Sequence, residues 1–386
     1  MKLVVQVKLI PDAAQARALE RTLHTVNEGA NQVSAASFAV YGLKGSVRDL
    51  RSMAYGELKA RGLGAQAAQH VIKRVVDAYS TLRANIRVGN LGGEGSRRRR
   101  KAESKPIVFR PDAAHTYDDR CLSWNHDART VSIWTMDGRL KNVRFAGSAA
   151  ALKQLTQYRK GESDLVRRDG KWFLVATCEV PEAPRYEPRD WLGVDRGITN
   201  LATTSDGHNH SGRRLDRYRR WQARKKSEIQ AKKTRSAAQL LKKRARRESR
   251  HATHTNHTIS KTVVAVAQRT ERGIALELLQ GIGGRVTVRR DQRARQSSWP
   301  FHQLGAFIAY KARRAGVPFI EVDPAYTSQR CPRCGHTERG NRPARDHFRC
   351  RRCGLAGPAD VVAGVNVRDR ARSAWVFVTM PPPVPT

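Results

Sequence analysis

Apolar and polar residues alternate over the first ten positions, with Val5, Val7 and Leu9 on one side and Gln6 and Lys8 on the other. A two-residue period predicts an opening strand. Pro11 and Asp12 then supply a helix start, and Leu19, Leu23, Val26, Ala30 and Val33 return at steps of three and four, the mark of one long amphipathic helix. Two more helical stretches are expected, from about Ser46 to Arg61 and from Ala65 to Asn85. The segment NLGGEGSRRRRKAESK breaks every pattern with glycines and a basic run, so it predicts a loop or mobile arm, either a solvated linker or a nucleic-acid contact.

From Pro106 to about Pro184 the signals are short and β-like, in KPIVFR, RTVSIWTM, LKNVRF and KWFLVATCEV, with a helical stretch near Ala149 to Arg159. They predict a small barrel or sheet completed by the first strand, with the helical block inserted in it. Arg213 to Arg250 carries 17 Lys or Arg and three acidic residues, interleaved with helix formers and free of Pro and Gly. One or two long basic helices are expected there, and such a charge density calls for counterions or phosphates.

Composition sharpens this picture. The 386 residues include 73 Lys or Arg against 34 Asp or Glu, a formal charge of +39 that points to a polyanion partner. An apolar share of 39% still allows cores, and the length suits two or three domains. No window holds eighteen consecutive apolar residues, and MKLVVQVKLIPDAA has neither a long apolar region nor a cleavage site. Membrane and secreted proteins are disfavoured, and six cysteines in a chain this long do not make a disulfide scaffold. The expected setting is a reducing cytoplasm.

Cys331-x2-Cys334, fifteen residues, then Cys350-x2-Cys353 is the spacing of a four-thiolate zinc ribbon. Gly335 and Gly354 follow the second cysteine of each pair, where the turn favours positive φ. A closed four-cysteine site leaves no open coordination position, so one zinc ion would be structural. His336 and His347 read as surface residues, Cys121 and Cys178 as core. His251, His254 and His257 recur every three residues, which suits a polar contact to nucleic acid or solvent exposure better than a metal site.

Three acids interrupt apolar or helix-start patterns: Asp195 in DWLGVDRGITN, Glu277 in GIALELL with Gly281, Gly283 and Gly284 beyond it, and Asp360 in GPADVVAGVNV after the ribbon. An acid in an apolar run is costly unless it binds a cation or partner. Singly, each also reads as an ion-paired strand edge or, for Asp360, as a helix-start residue favoured by the dipole. Asp323, at the end of GVPFIEV, reads as a pre-proline loop acid, with a fourth ligand as the alternative.

The order strand Asp, strand Glu, helix Asp, together with GVDRGITNLATTSDG, IALELL, DPAYTSQRCPRCGH, NR at Asn341 and Arg342, FRCRRCG, and AD followed by VNV, resembles the TnpB family. These are RNA-guided nucleases encoded by bacterial transposons and related to compact type V CRISPR effectors. One departure is that Val361, Val362, Ala363 and Gly364 stand where the family typically has Asn-Ala-Ala after its last Asp, which implies altered helix packing.

The resemblance implies an α/β multidomain chain: an RNase H-like (RuvC) nuclease core at 189–324 and 355–373 with an inserted zinc ribbon at 325–354. It further implies an N-terminal β-barrel-like wedge domain at 1–11 and 106–188, a helical recognition insertion and basic linker at 12–105, and a tail at 374–386. Asp195, Glu277 and Asp360 would hold two Mg²⁺ (or Mn²⁺) ions, with Asp195 bridging and water as nucleophile. Arg213, Arg214, Arg217, Arg220, Arg224, Lys225 and Arg342 are the implied nucleic-acid contacts. Trp191, Tyr218 and Trp221 are candidates to stack on bases, with core packing as the alternative for the last two.

The implied activity is RNA-guided cleavage of DNA. The partners are a guide RNA and a target duplex, with a single strand at the active site. The implied state is a monomer with RNA, a dimer being the alternative, in a bacterial cytoplasm near the nucleoid. A compact type V CRISPR effector and a non-cleaving RNA-guided DNA-binding regulator remain as alternatives, but the three acids argue against the second. A transposase acting on its own ends is weaker still, because no nucleophilic Tyr flanked by a paired-His motif is present.

Overall fold

The computed structural model describes residues 1–279 and 301–379, which form two compact units that divide between Val180 and Pro181. Gly281, Gly283, Gly284 and positions 380–386 of the tail lie outside the described residues. Among the described residues no helix is long and apolar enough to cross a membrane.

In the first unit β1 (Lys2–Ile10) leads into α1 (Ala13–Tyr41), α2 (Val47–Ala60), α3 (Ala65–Arg87) and α4 (Arg97–Glu103). There follow β2 (His115–Tyr117), β3 (Leu122–Asn125), β4 (Thr130–Thr135), β5 (Gly138–Ala146), α5 (Ala149–Tyr158), β6 (Arg159–Arg168) and β7 (Lys171–Glu179). The strands build one antiparallel sheet in the order β2-β6-β7-β1-β5-β4-β3. Its end strands do not pair with each other, so it is an open sheet rather than a closed barrel.

Val5, Val7 and Leu9 all face its core, as the alternation requires. Asp12 caps α1 through a capping box with Gln15, satisfying N–H groups that the first turn leaves open. The helices α1 to α3 close a second core around Val26, Leu50, Leu58, Val71 and Val75.

Two expectations need correction here. The basic run is helical: Ser96 caps α4 by accepting from the Arg99 N–H at 3.2 Å, and Arg99 pairs with Glu103 one turn on at 2.9 Å. Local capping and an i,i+4 pair outweigh the glycines before it. KPIVFR forms no strand. Its backbone is pinned by side chains of α1 and α3 instead, with Asn31 exchanging two hydrogen bonds with Phe109 and Ser34 donating to the Ile107 carbonyl at 2.7 Å.

The second unit contains β8 (Asp190–Asp195), β9 (Asn200–Thr204), β10 (Asn209–Ser211), α6 (Arg213–Ala231), α7 (Arg235–Arg269) and β11 (Arg272–Glu277). It continues with α8 (Phe301–Arg314), β12 (Phe319–Val322), β13 (His347–Arg349), β14 (Ala356–Pro358) and α9 (Ala359–Thr379). α9 therefore extends past position 374, where the tail was expected to begin. A five-stranded sheet runs β10-β9-β8-β11-β12, with β8 antiparallel to β9 and parallel to β11, and β11 parallel to β12.

Helices cover both faces, which explains the unbroken apolar runs in β8 and β11. Leu192, Val194, Ile274 and Leu276 pack with Ile259, Val263, Leu304 and Ile308 of α7 and α8. Trp191 and Ala275 pack with Val367 and Ala371 of α9 on the other side. Trp191 is only 2% exposed and meets Trp375 edge-on at 5.2 Å, so it is a core residue and not a base-stacking one.

Candidate active site and cysteine cluster

Asp195 and Glu277 are the last residues of β8 and β11, and the parallel register that pairs Val194 with Leu276 sets the two acids side by side. Asp360 comes from the first turn of α9, which runs back along β8. Arg372 near the far end of α9 holds the Asp190 carboxylate through two bonds of 2.7 and 2.8 Å, while the near end brings Asp360 to Asn200. Close contact between helix and strand needs glycine on both. A Cβ on Gly193 would lie 2.0 Å from the Gly364 carbonyl oxygen, and one on Gly364 would lie 3.0 Å from the Ser205 nitrogen. Gly364, at the departure from the family sequence, is thus where α9 touches the sheet.

The electrostatics follow from this placement. Burial pushes the Asp195 carboxyl up to about 8, and the negative charges of Glu277 and Asp360 add to the shift. Glu277 is also raised, mainly by burial, against a hydrogen bond from the Thr327 hydroxyl and the charges of Arg196, Arg370 and Arg342. Thr327 is itself held by Asn366 of α9, whose amide donates to its carbonyl at 2.7 Å. Arg196 donates to the Glu277 carbonyl. Asp360 accepts from Asn200 Nδ2 at 2.8 Å and from the Arg342 guanidinium at 3.1 Å. Three clustered carboxylates that repel one another make a hard, oxygen-rich donor set suited to a divalent cation.

Asn200, Thr327, Asn366 and Arg196 carry no role in the sequence analysis. Thr327 lies in the quoted TSQ and Asn366 in VNV, so the signal was present, but their partners lie 39 to 160 positions away and only the fold reveals them. Asp323 is exposed and its carboxylate accepts from the Ala325 N–H at 2.9 Å, the part of a turn acid.

Two knuckles make the ribbon. Gly335 and Gly354 both have φ of +73°, and each donates its N–H to the carbonyl of the first cysteine of its pair. One ligand atom from each of Cys331, Cys334, Cys350 and Cys353 lies within 4.8 Å of all the others. The Cys331–Cys353 and Cys334–Cys350 sulfurs stand 3.5 and 3.6 Å apart, close to the roughly 3.8 Å edge of a tetrahedron with Zn–S bonds near 2.3 Å. The four thiols therefore fit one zinc ion. Among the described residues no other set of three or more His, Cys, Asp or Glu is this tight, so His251, His254 and His257 do not form a metal cluster. His251 lies against Tyr218 and His257 stacks on Phe307, while His336 contacts Glu338 at 3.1 Å.

On α6, Arg213, Arg214, Arg217, Arg220 and Arg224 are exposed and Lys225 is half-buried beside Glu228. Trp221 is 39% exposed, with the Arg244 guanidinium 4.8 Å from its ring centre. Tyr218 is half-buried and accepts from Gln222 at 2.7 Å.

Residues 175–275 match the family model "Probable transposase" (OrfB_IS605), and residues 301–367 match the "Cas12f1-like, TNB domain". The TnpB-like protein MJ0751 of Methanocaldococcus jannaschii is 30% identical over 192 residues, 47% of this chain and 68% of that protein. The chain belongs to the TnpB family. Other relatives of this TnpB-family chain are the CRISPR-associated endodeoxyribonuclease Cas12f1 of Sulfoacidibacillus thermotolerans and the "Putative RNA-guided DNA endonuclease InsQ" of Escherichia coli. The first is 28% identical over 58% of this chain and 57% of that protein, the second 28% identical over 51% and 53%. The chain thus spans about half the length of these two relatives.

Proposed function

We propose that this chain is an RNA-guided, divalent-metal-dependent DNA endonuclease of the TnpB type, hydrolysing phosphodiester bonds. The observation that carries the reading is the placement of Asp195 and Glu277 at neighbouring strand ends with Asp360 on the first turn of α9, where burial, and then the charges of Glu277 and Asp360, push Asp195 up to about 8. Three antiparallel strands followed by two parallel ones, with acids on the first and fourth strands and on the closing helix, match the layout of an RNase H-like (RuvC) core. The names of the relatives point to the same activity.

Asp195, Glu277 and Asp360 would hold two Mg²⁺ or Mn²⁺ ions, and Cys331, Cys334, Cys350 and Cys353 one structural zinc. Bound between the acids, the divalent ions supply Lewis-acid stabilisation of the attacking and leaving oxygens. The chain's own share is placement. The β8–β11 register fixes Asp195 against Glu277, Thr327 orients the Glu277 carboxylate, and Asn200 orients that of Asp360.

The charge of +39 supports a guide RNA and a target duplex as partners, gripped through their phosphates. Arg213, Arg214, Arg217, Arg220 and Arg224 on the exposed side of α6, with Lys225, form the proposed path for a strand, and the Trp221–Arg244 pair offers a surface on which a base can stack. A compact type V CRISPR effector is the second reading, favoured by the TNB-domain match and the Cas12f1 relative.

The test is cleavage of a matching duplex by the chain purified with its copurifying RNA, in Mg²⁺. Wild type is expected to cut, and Asp195→Ala to lose cutting by at least about a thousandfold while still binding the duplex. Identical uncut products from both proteins would leave the chain a binder. Sequencing the copurified RNA separates the two nuclease readings, since a transposon-end transcript favours one and a CRISPR-array transcript the other.

A further inference from the structure

Both oxygens of the Asp360 carboxylate are already engaged. Oδ2 accepts from Asn200 of β9, and Oδ1 accepts from Arg342 of the ribbon. These two partners differ in kind. Asn200 is neutral and belongs to the sheet that carries Asp195, so it orients Asp360 without competing for it. Arg342 brings a guanidinium to a carboxylate that a divalent cation would need.

Arg342 is built into this position rather than resting there. Its guanidinium also donates twice to the Arg345 carbonyl, at 3.0 and 2.6 Å, which sets its direction. Its backbone closes the 3-10 turn Arg339–Asn341. Asn341 is fully buried and ties the two knuckles together, donating to the Gln329 and His336 carbonyls at 2.9 and 3.1 Å and accepting from the Arg351 N–H at 2.9 Å. The ribbon frame thus delivers the arginine. Ala359, beside Asp360, donates its N–H to the Asp346 carbonyl of the ribbon at 3.0 Å.

The acids show the matching signature. Among the described residues the four cysteines bring one ligand atom each within 4.8 Å of one another, and the three acids do not. Asp195 feels the charges of both Glu277 and Asp360, yet the three do not make a set as tight as that of the cysteines.

We propose that Arg342 is a latch: in the cation-free protein its guanidinium holds Asp360 in the place of a divalent ion, so that loading of the three-acid site is gated by the zinc ribbon. This rests on the reading that these acids bind divalent cations. A cation must displace the arginine, and a movement of the ribbon that withdraws Arg342 opens the site. Asn200 is a positioning residue with the opposite effect, because losing it frees Asp360 to turn away.

Titration with Mn²⁺, followed by the electron paramagnetic resonance signal of the free ion, tests this on the full-length zinc-loaded chain without nucleic acid. Asp195→Ala identifies which bound Mn²⁺ belongs to the acid site. Arg342→Ala and the bulkier Arg342→Gln are both expected to bind that ion roughly fivefold more tightly than wild type, and Asn200→Ala more weakly. The zinc content of each variant reports whether its ribbon is intact, and the Gln variant answers for an Ala variant that loses zinc. Unchanged or weaker Mn²⁺ affinity in an Arg342 variant with full zinc overturns the latch alone. Absence of any Mn²⁺ site sensitive to Asp195→Ala overturns the underlying cation-site reading and the latch with it.

Discussion

Gly193 and Gly364 decide how near α9 comes to β8, and with it where Asp360 sits. A methyl group on Gly193 would meet the Gly364 carbonyl oxygen at 2.0 Å and the Arg368 nitrogen at 2.5 Å, both backbone atoms that cannot turn aside. The helix must lift instead. Overpacking of this kind costs about 1–3 kcal/mol. Gly193→Ala is therefore expected to lower the melting temperature of the second unit and to cut cleavage more than the stability loss explains, because Asp360 moves with the helix. Thermal denaturation and a cleavage assay well below the melting point check the two parts separately. Wild-type cleavage in a destabilised Gly193→Ala would detach the helix position from the chemistry.

At the scale of elements, the ribbon is a small fold organised by its four thiols, with Phe348 and Cys331 buried at its centre and few apolar residues besides. Zinc binding and folding are linked in such a module. Cys331→Ser is expected to lose zinc stoichiometrically, shown by elemental analysis, and to lose cleavage as well, since the ribbon joins the first turn of α9 through Asp346 and Asp360. A zinc-free Cys331→Ser that still cuts normally would make the ribbon dispensable.

The cysteine spacing was legible in the chain because a knuckle is a local device. The long helices were legible too, since their apolar stripes recur over many turns. Less was visible where pairing at a distance decides. β6, RKGESDLVRR, has almost no strand composition and forms because β2 and β7 flank it, and KPIVFR has the composition without the partners. The acids stood out as charges inside apolar runs. Asn200 did not, and Arg342 stood out only as a nucleic-acid contact, since the meaning of a polar residue at a strand end or turn comes from the carboxylate opposite it.

At the scale of the molecule, the two units carry buried titratable groups of opposite sign, and acid should act on them in opposite directions. In the first unit His115 is fully buried, facing His70 and Arg74 of α3 and Tyr117 of its own strand, with Asp118 and Glu162 about 4 Å from His70. Burial, then the His70 and Arg74 charges, push His115 down to about 3. The unfolded chain takes up this proton near pH 6.5 and the folded unit does not, so stability is lost as pH falls below 6.5, by up to about 1.4 kcal/mol per pH unit until the folded value is reached. In the second unit Asp195 is raised to about 8, so without divalent cations the folded state binds a proton that the unfolded chain holds only near pH 4. That contribution grows as pH falls from 8 towards 4, relieving repulsion among the acids.

Each effect is isolated by the variant that removes its titrating group. Between pH 7 and 5, in magnesium-free buffer, hydrogen exchange over α3 and β2 should accelerate less in His115→Gln than in wild type, once intrinsic rates are subtracted. Exchange over β8 and β11 should lose its acid protection in Asp195→Asn. A wild-type slope over α3 and β2 in His115→Gln would mean that the acid sensitivity of this unit resides in its surface carboxylates.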